Sequence, residues 1–439
     1  MFNITLGRHL QSAIADLSKL IDKRLDDFFK PAELSGQSDV NIELPDLRYL
    51  SHQFTKDEYI VLLIALMPHI QPHLFDQIIQ QKFPQGGEFS QLGGVRGKQF
   101  RGFLPTGETV LFLLAGDDLQ KRFDISQLLD ADHFLSKYHI IWLDDAPVSE
   151  PKMSGRLVIS NEAIDFLIHG QLTKPRFGMQ FPAQLIETQL NWDDLILNEH
   201  TSQQLKDLEH WIHFGQTLLN DWNMKGRIKP GYRVLFYGPP GTGKTLSATL
   251  LGKYTGKDVF KIDLSMIVSK FIGETEKNLS NLFARAENRD WILFFDEADA
   301  LFGKRTNVRD AHDKYANQEV SYLLQRVETY AGMVILASNF RDNIDEAFVR
   351  RFQSIVYFPK PKGEERLKIW RSAFPANVTF TESVDLGAVA DRYELTGANI
   401  VNIVQQVCLT ALARGNNSVS EDDLKKAIQK EFAKEEKML

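Results

Sequence analysis

The run GPPGTGKT carries the most chemistry in this chain. It comprises Gly238, Pro239, Pro240, Gly241, Thr242, Gly243, Lys244 and Thr245, with Leu246 behind it, and it fits the spacing G-x-x-x-x-G-K-[ST]. Glycines at these positions let backbone N–H groups curl inward around phosphate oxygens, and a following helix adds its positive N-terminal end. Lys244 offers a point charge to the terminal phosphates, and Thr245 a hydroxyl to Mg²⁺. The alternative is a glycine turn without chemistry. Against it, strand-like RVLFYG stands just before and a helical pattern just after, the context a phosphate loop needs.

Two more polar groups follow apolar runs. In ILFFDEAD, four apolar residues deliver Asp296 and Glu297 to the carboxyl edge of a buried strand, the usual binding rim of such sheets. Asp296 can hold the Mg²⁺ shell, and Glu297 can orient and deprotonate an attacking water, which hydrolysis needs and binding does not. Taken alone, such a pair is as often a helix N-terminal acid cluster. In VILASN, Asn339 is placed to hold that water, with a turn-forming asparagine as the plainer reading.

These groups need a sheet to position them. RVLFYG, DVFKIDL, WILFFDE, GMVILASN and SIVYFP are apolar almost throughout, as strands buried on both faces are. Separated by helical patterns, they predict an α/β fold, a doubly wound parallel five-stranded sheet. After Pro361 the pattern is wholly helical, ending in a charged helix over 420–437. The first part of the chain is mixed and mainly helical. Leu10 to Phe29 reads as an amphipathic helix, and Thr55 or Lys56 opens a second that Pro68 should stop. A glycine-rich basic loop and a buried segment span Gly93 to Gly116, and HIIWLDD has strand composition. A boundary near Pro182 to Asn191 divides the chain into 1–185, 186–360 and 361–439.

The whole composition is that of a globular protein: 439 residues, 43% hydrophobic and 25% charged. A net charge of -7 argues against bulk nucleic-acid binding. The single cysteine, Cys408, can form neither an intramolecular disulfide nor a zinc site and reads as a core thiol. The N-terminus has no basic leader before an apolar core, and apolar runs such as YIVLLIALM are too short to span a bilayer. A cytoplasmic protein with no membrane partner is expected.

GPPGTGKT, ILFFDEAD, VILASNF, DEAFVRRF and LTGANI, in that order from about Trp192 to the C-terminus, resemble the AAA ATPase family. The resemblance implies ATP and Mg²⁺ as cofactors, a homo-oligomeric ring (usually a hexamer) with ATP at subunit boundaries, and a C-terminal helical lid. It casts Lys244 and Thr245 as Walker A, Asp296 and Glu297 as Walker B, and Asn339 as the first sensor. Arg350 and Arg351 match the arginine-finger position, although here they are adjacent where many members space them with Pro-Gly. Gly397 and Ala398 occupy the second-sensor region without an arginine, as in the branch that includes katanin. Leu195 and Ile196 resemble the segment lining the adenine pocket. KFIGE, with Lys270, Phe271, Ile272 and Gly273, matches the first pore loop, whose aromatic grips a threaded polypeptide; by composition alone Phe271 would be a core residue. The locally basic segment 302–319 falls where a second pore loop lies.

The implied function is a ring-forming ATPase that remodels, threads or disassembles a protein substrate. Two readings stay open beside it: an ATP-gated assembly or scaffold factor that does not thread, and a nucleic-acid motor. The N-terminal segments FTKDEYIVLLIAL and GGVRGKQFRGFLPTGETVLFLLAG resemble the corresponding region of ATPases encoded with phage-tail-like contractile injection particles. That resemblance implies a sheath or tail-assembly protein as substrate.

Overall fold

A computed structural model describes residues 2–29, 42, 48–49, 52–84, 89–170, 173–178, 181–267, 274–287, 289–298, 321–339 and 349–436. The chain divides into two compact units, Met1–Pro175 and Arg176–Leu439.

In chain order the first unit holds α1 (Phe2–Phe29), β1 (Arg48–Tyr49), β2 (His52–Gln53), α2 (Lys56–Ile70), α3 (Leu74–Lys82), β3 (Val95–Arg96) and β4 (Phe103–Leu104). Then come α4 (Gly107–Ala115), α5 (Leu119–Gln127), α6 (Phe134–Lys137), β5 (Ile141–Leu143), β6 (Leu157–Ile159) and α7 (Asn161–His169). Its centre is α2, buried from Glu58 through Met67 because apolar residues occupy every face of that stretch. Against it packs α1, presenting Ala13, Leu17, Ile21 and Leu25 at helical spacing. Thr55 starts α2 as expected. Its hydroxyl accepts from Glu58 N–H at 3.3 Å, while Glu58 Oε2 accepts from Thr55 N–H at 2.7 Å.

Pro68 does not stop α2, contrary to the sequence expectation; the helix runs to Ile70 with the proline inside it. A proline withdraws one N–H, and this one sits in the last turn, where little helix remains to break. The glycine-rich basic loop is a short antiparallel hairpin of β3 and β4. Asp76 of α3 holds it, accepting from Phe103 N–H at 2.9 Å and Arg96 Nη2 at 3.1 Å.

The second unit contains β7 (Ala183–Leu185), α8 (Glu199–Asn220), β8 (Tyr232–Tyr237), α9 (Lys244–Thr255), β9 (Val259–Ile262), α10 (Leu264–Ile267) and α11 (Glu274–Glu287). β10 (Ile292–Phe295), β11 (Met333–Ser338) and β12 (Ser354–Tyr357) complete its sheet, whose spatial order is β12-β8-β11-β10-β9-β7. The five expected strands are parallel. Alternate residues feed opposite faces: Val234, Phe236, Phe294 and Ile335 pack towards α8 and α9, and Leu235, Leu293, Phe295 and Leu336 towards α11. Both faces are covered, which is why these strands read as continuous apolar runs.

The expected count of five strands and the expected boundary after residue 185 both need correction. β7 is a sixth strand, antiparallel to β9, with Ala183 opposite Ile262 and Leu185 opposite Phe260. It brings Phe181 into the same core, edge-on to Phe260 with ring centroids 5.4 Å apart. The chain therefore enters the second unit near residue 176.

Beyond β12 the helices Gly363–Ala373, Leu386–Arg392, Gly397–Ala413 and Glu421–Glu436 enclose their own apolar core around Trp370, Ile400, Ile403 and Leu424. This region is not wholly helical, because Thr379–Phe380 and Ser418–Val419 pair as a short parallel ladder. Cys408 is half-buried against this core, and burial raises its thiol pKa. No helix among the described residues is long and apolar enough to cross a membrane.

Candidate active site

β8 and β11 are neighbours, and the connection from β8 runs to β9 on one side while that from β11 runs to β12 on the other, so a crevice opens at the carboxyl edge of the sheet. A cavity of ≈ 590 Å³ lies there. The loop after β8 builds its floor. Gly238, Gly241 and Gly243 all have positive φ, at 145°, 72° and 99°, conformations that side-chain-bearing residues rarely adopt. At Gly241 a methyl group would also meet Ala398 Cβ and Thr396 Oγ1, each at 2.7 Å.

Lys244 opens α9 and is buried. Its ammonium donates to Gly238 O at 2.6 Å, Pro239 O at 3.0 Å and Asn339 Oδ1 at 3.1 Å. The lysine and the residue that follows β11 are thereby joined across the crevice. Asp296 and Glu297 follow β10 on the next strand. Glu297 has φ 51°, a left-handed conformation unusual for this residue type. Two bonds hold it there: Glu297 N–H donates to Asp296 Oδ1 at 3.1 Å, and Ala298 N–H to Ala337 O at 2.9 Å.

The cavity gathers most of the sequence-predicted groups: Pro240 through Leu246, Asp296, Glu297, Asn339, Leu195, Ile196, Gly397 and Ala398 all line it. Gly238 and Pro239 do not; their carbonyls hold Lys244 instead. The segment carrying Leu195 and Ile196 is fixed by Lys253 of α9, which donates to Leu190 O at 2.7 Å and Asn191 Oδ1 at 2.9 Å. Asn198 then caps α8, accepting from Thr201 N–H at 2.8 Å. Glu365, Ile369, Val401 and Asn402, from the helical region, also line the cavity and were not anticipated. Lys261 of β9 was missed too; its ammonium lies 2.6 Å from Asp296 Oδ2.

The lining is of two kinds, and together they fit a nucleotide. Leu195, Ile196, Ile369 and Val401 offer an apolar surface for a base, while the cradle, Lys244 and Thr245 suit phosphates. The groups that could hold a metal here are oxygens only, the Thr245 hydroxyl and the Asp296 carboxylate, a set suited to a hard cation such as Mg²⁺. Among the described residues no group of three or more His, Cys, Asp or Glu could hold a metal ion. Phosphate oxygens would have to complete the shell.

Arg350 and Arg351 are not brought to this cavity. They line a separate one of ≈ 430 Å³, together with Lys229, Arg233 and Glu328. Glu328 pairs with Arg351. Arg233 is buried, its Nη1 donating to Glu328 O at 2.8 Å and its Nε to Gln353 Oε1 at 3.1 Å, and desolvation lowers its pKa. Lys270, Phe271, Ile272 and Gly273, and the segment 302–319, lie outside the described residues.

A doubly wound sheet with a phosphate loop at its crevice defines a P-loop nucleotide-binding domain. Residues 234–360, within the second unit, match the model of the ATPase family associated with various cellular activities (AAA). Proteasome-activating nucleotidase 2 of Haloferax volcanii is 32% identical over 211 residues, covering 46% of this chain and 51% of the relative. Proteasome-activating nucleotidase of Aeropyrum pernix is 34% identical over 211 residues, 46% of this chain and 51% of the relative. A katanin p60 ATPase-containing protein of Mus musculus is 31% identical over 259 residues, 55% of this chain and 50% of the relative. The chain spans about half the length of the curated relatives it matches.

Proposed function

We propose that this chain is a ring-forming, Mg²⁺-dependent ATP hydrolase that uses turnover to remodel a protein substrate. The observation carrying this reading is a division of parts. Phosphate cradle, carboxylates and Asn339 share one cavity, whereas Arg350 and Arg351 line another, from which a neighbouring chain's nucleotide would have to draw Arg351 out of its pair with Glu328.

In this reading Lys244 turns from its carbonyl partners to the β/γ phosphates, and Thr245 and Asp296 hold Mg²⁺. When bound, Mg²⁺ neutralises charge on the phosphate oxygens. Asn339 orients the attacking water, and Glu297 takes its proton. Leu195, Ile196, Gly397 and Ala398 enclose the base and sugar, with the C-terminal helices acting as a lid. Arg350 and Arg351 stabilise charge developing on the neighbour's γ-phosphate. The names of the relatives, proteasome-activating nucleotidases and a katanin p60 ATPase-containing protein, support a protein-remodelling role. For Phe271 and its neighbours we propose the pore grip. For the first unit we propose choice of target, a sheath or tail-assembly protein, on the resemblance of its sequence segments.

Complementation tests the shared site. Chains with Arg350→Ala and Arg351→Ala are mixed with chains carrying Glu297→Gln. Each is inactive alone; the mixture should regain ATPase activity, since some sites then combine an intact Glu297 with intact arginines. A mixture no more active than its parts would remove the arginines from a neighbour's site. Loss of substrate-dependent work on Phe271→Ala supports threading; retained work supports the scaffold reading.

A further inference from the structure

Asp296 has both carboxylate oxygens engaged within the chain. Oδ1 accepts from Glu297 N–H at 3.1 Å, and Oδ2 lies 2.6 Å from the Lys261 ammonium. The lysine is set by the sheet, not by a loop: its Cα is in register with Phe294 of β10 on one side and Gln184 of β7 on the other. Two carboxylates at one strand end, with no cation beside them, would attract any divalent ion. Here a fixed positive charge already meets Asp296. It is also partly solvated, with 39% of the Lys261 side-chain surface exposed, so the pair is weak enough to yield.

We propose that Lys261 is a positioning residue that stands in for the metal: it neutralises and orients Asp296 in the nucleotide-free site, so that Mg²⁺ enters with the nucleotide rather than ahead of it. This rests on Asp296 being a metal-holding group. A divalent ion arriving alone must displace an ammonium and meets too few protein oxygens to compensate. An ion carried on the phosphates brings its own ligands, and the Lys244 charge draws the same phosphates in. Coupled entry keeps the site from filling with metal between turnovers.

The test uses the full chain with MgCl₂ and ADP as probes, read by calorimetry and by the thermal unfolding midpoint. In the native chain MgCl₂ without ADP should give neither a binding isotherm nor a midpoint shift. Mg²⁺ binding to that nucleotide-free chain at the concentrations that support ADP binding would overturn the proposal, whatever the variants do. In Lys261→Met the Mg²⁺ concentration for half-maximal ADP binding should fall about tenfold as one nearby positive charge is removed. Lys261→Arg should restore the native response. A Lys261→Met chain with the native Mg²⁺ response would overturn the proposal. Asp296→Asn separates the two levels. If it leaves the Mg²⁺ dependence of ADP binding unchanged, Asp296 is not the metal group. If it raises the requirement while Lys261→Met behaves as native, only the role of Lys261 fails.

Discussion

At Gly241 one added methyl group meets two obstacles together, a φ of 72° and the side chains of Ala398 and Thr396. Gly241→Ala should therefore weaken ADP binding more than tenfold, about 1.4 kcal/mol or greater. Circular dichroism should stay unchanged, and titration calorimetry measures the loss. Glu297→Gln should separate binding from chemistry. Nucleotide affinity should persist while turnover falls about a hundredfold or more, the usual contribution of a positioned base; a coupled phosphate-release assay reads this directly. Most of this cavity was legible because its groups lie in contiguous motifs that follow strands. The Lys261–Asp296 pair was not, since it joins residues 35 apart whose meeting depends on strand register. Nor was the left-handed backbone at Glu297, because no local residue type announces it.

Among the elements, α2 combines a strong start signal with an acid-sensitive environment. Thr55→Ala should cost about 1 kcal/mol by removing the cap, measured by urea unfolding. Burial alone would raise the pKa of Glu58, but bonds from Thr55 N–H, His52 and the Thr55 side chain outweigh it and hold the carboxyl below its ordinary value. His133 Nε2 lies 3.3 Å from Glu58 Oε1, and its Nδ1 accepts from Leu135 N–H at 3.3 Å. Its pKa is depressed below 6.5, chiefly by burial, with the Glu58 charge opposing and His52 adding to the depression. Both shifts act in one direction. A depressed histidine binds protons more readily once unfolded, so its stability contribution is lost as pH falls through and below 6.5; that of Glu58 is lost at more acidic pH, below 4.5. Hydrogen exchange in α2 should accelerate across the first window beyond its intrinsic pH dependence. His133→Asn, which keeps a capping side chain without the titration, should flatten that response. The capping box could be read in the sequence. β7 could not, because three residues with no strand composition become a strand only when β9 offers an edge.

For the whole molecule, the division between Pro175 and Arg176 predicts which fragment stands alone. Residues 176–439 should fold and bind ADP as the full chain does. A fragment beginning at 186 lacks β7 and Phe181, which bares the edge of β9 and the aromatic cluster with Phe260 and Trp291. It should unfold at lower denaturant or aggregate; equal stability of the two fragments would contradict the role given to β7. Composition and strand order made the α/β class readable, while the boundary was misplaced because a linker and an edge strand look alike when neither carries an apolar run.

The contact between cradle and helical region also has a mechanical side. Ala398 N–H donates to Gly241 O at 3.1 Å, and Ala398 stands at the start of the 17-residue helix Gly397–Ala413. Such a helix is about 25 Å long, so a tilt of about 5° at this pivot swings its far end by about 2 Å. An adjustment of the glycine loop would thus be magnified at the far end of this helix.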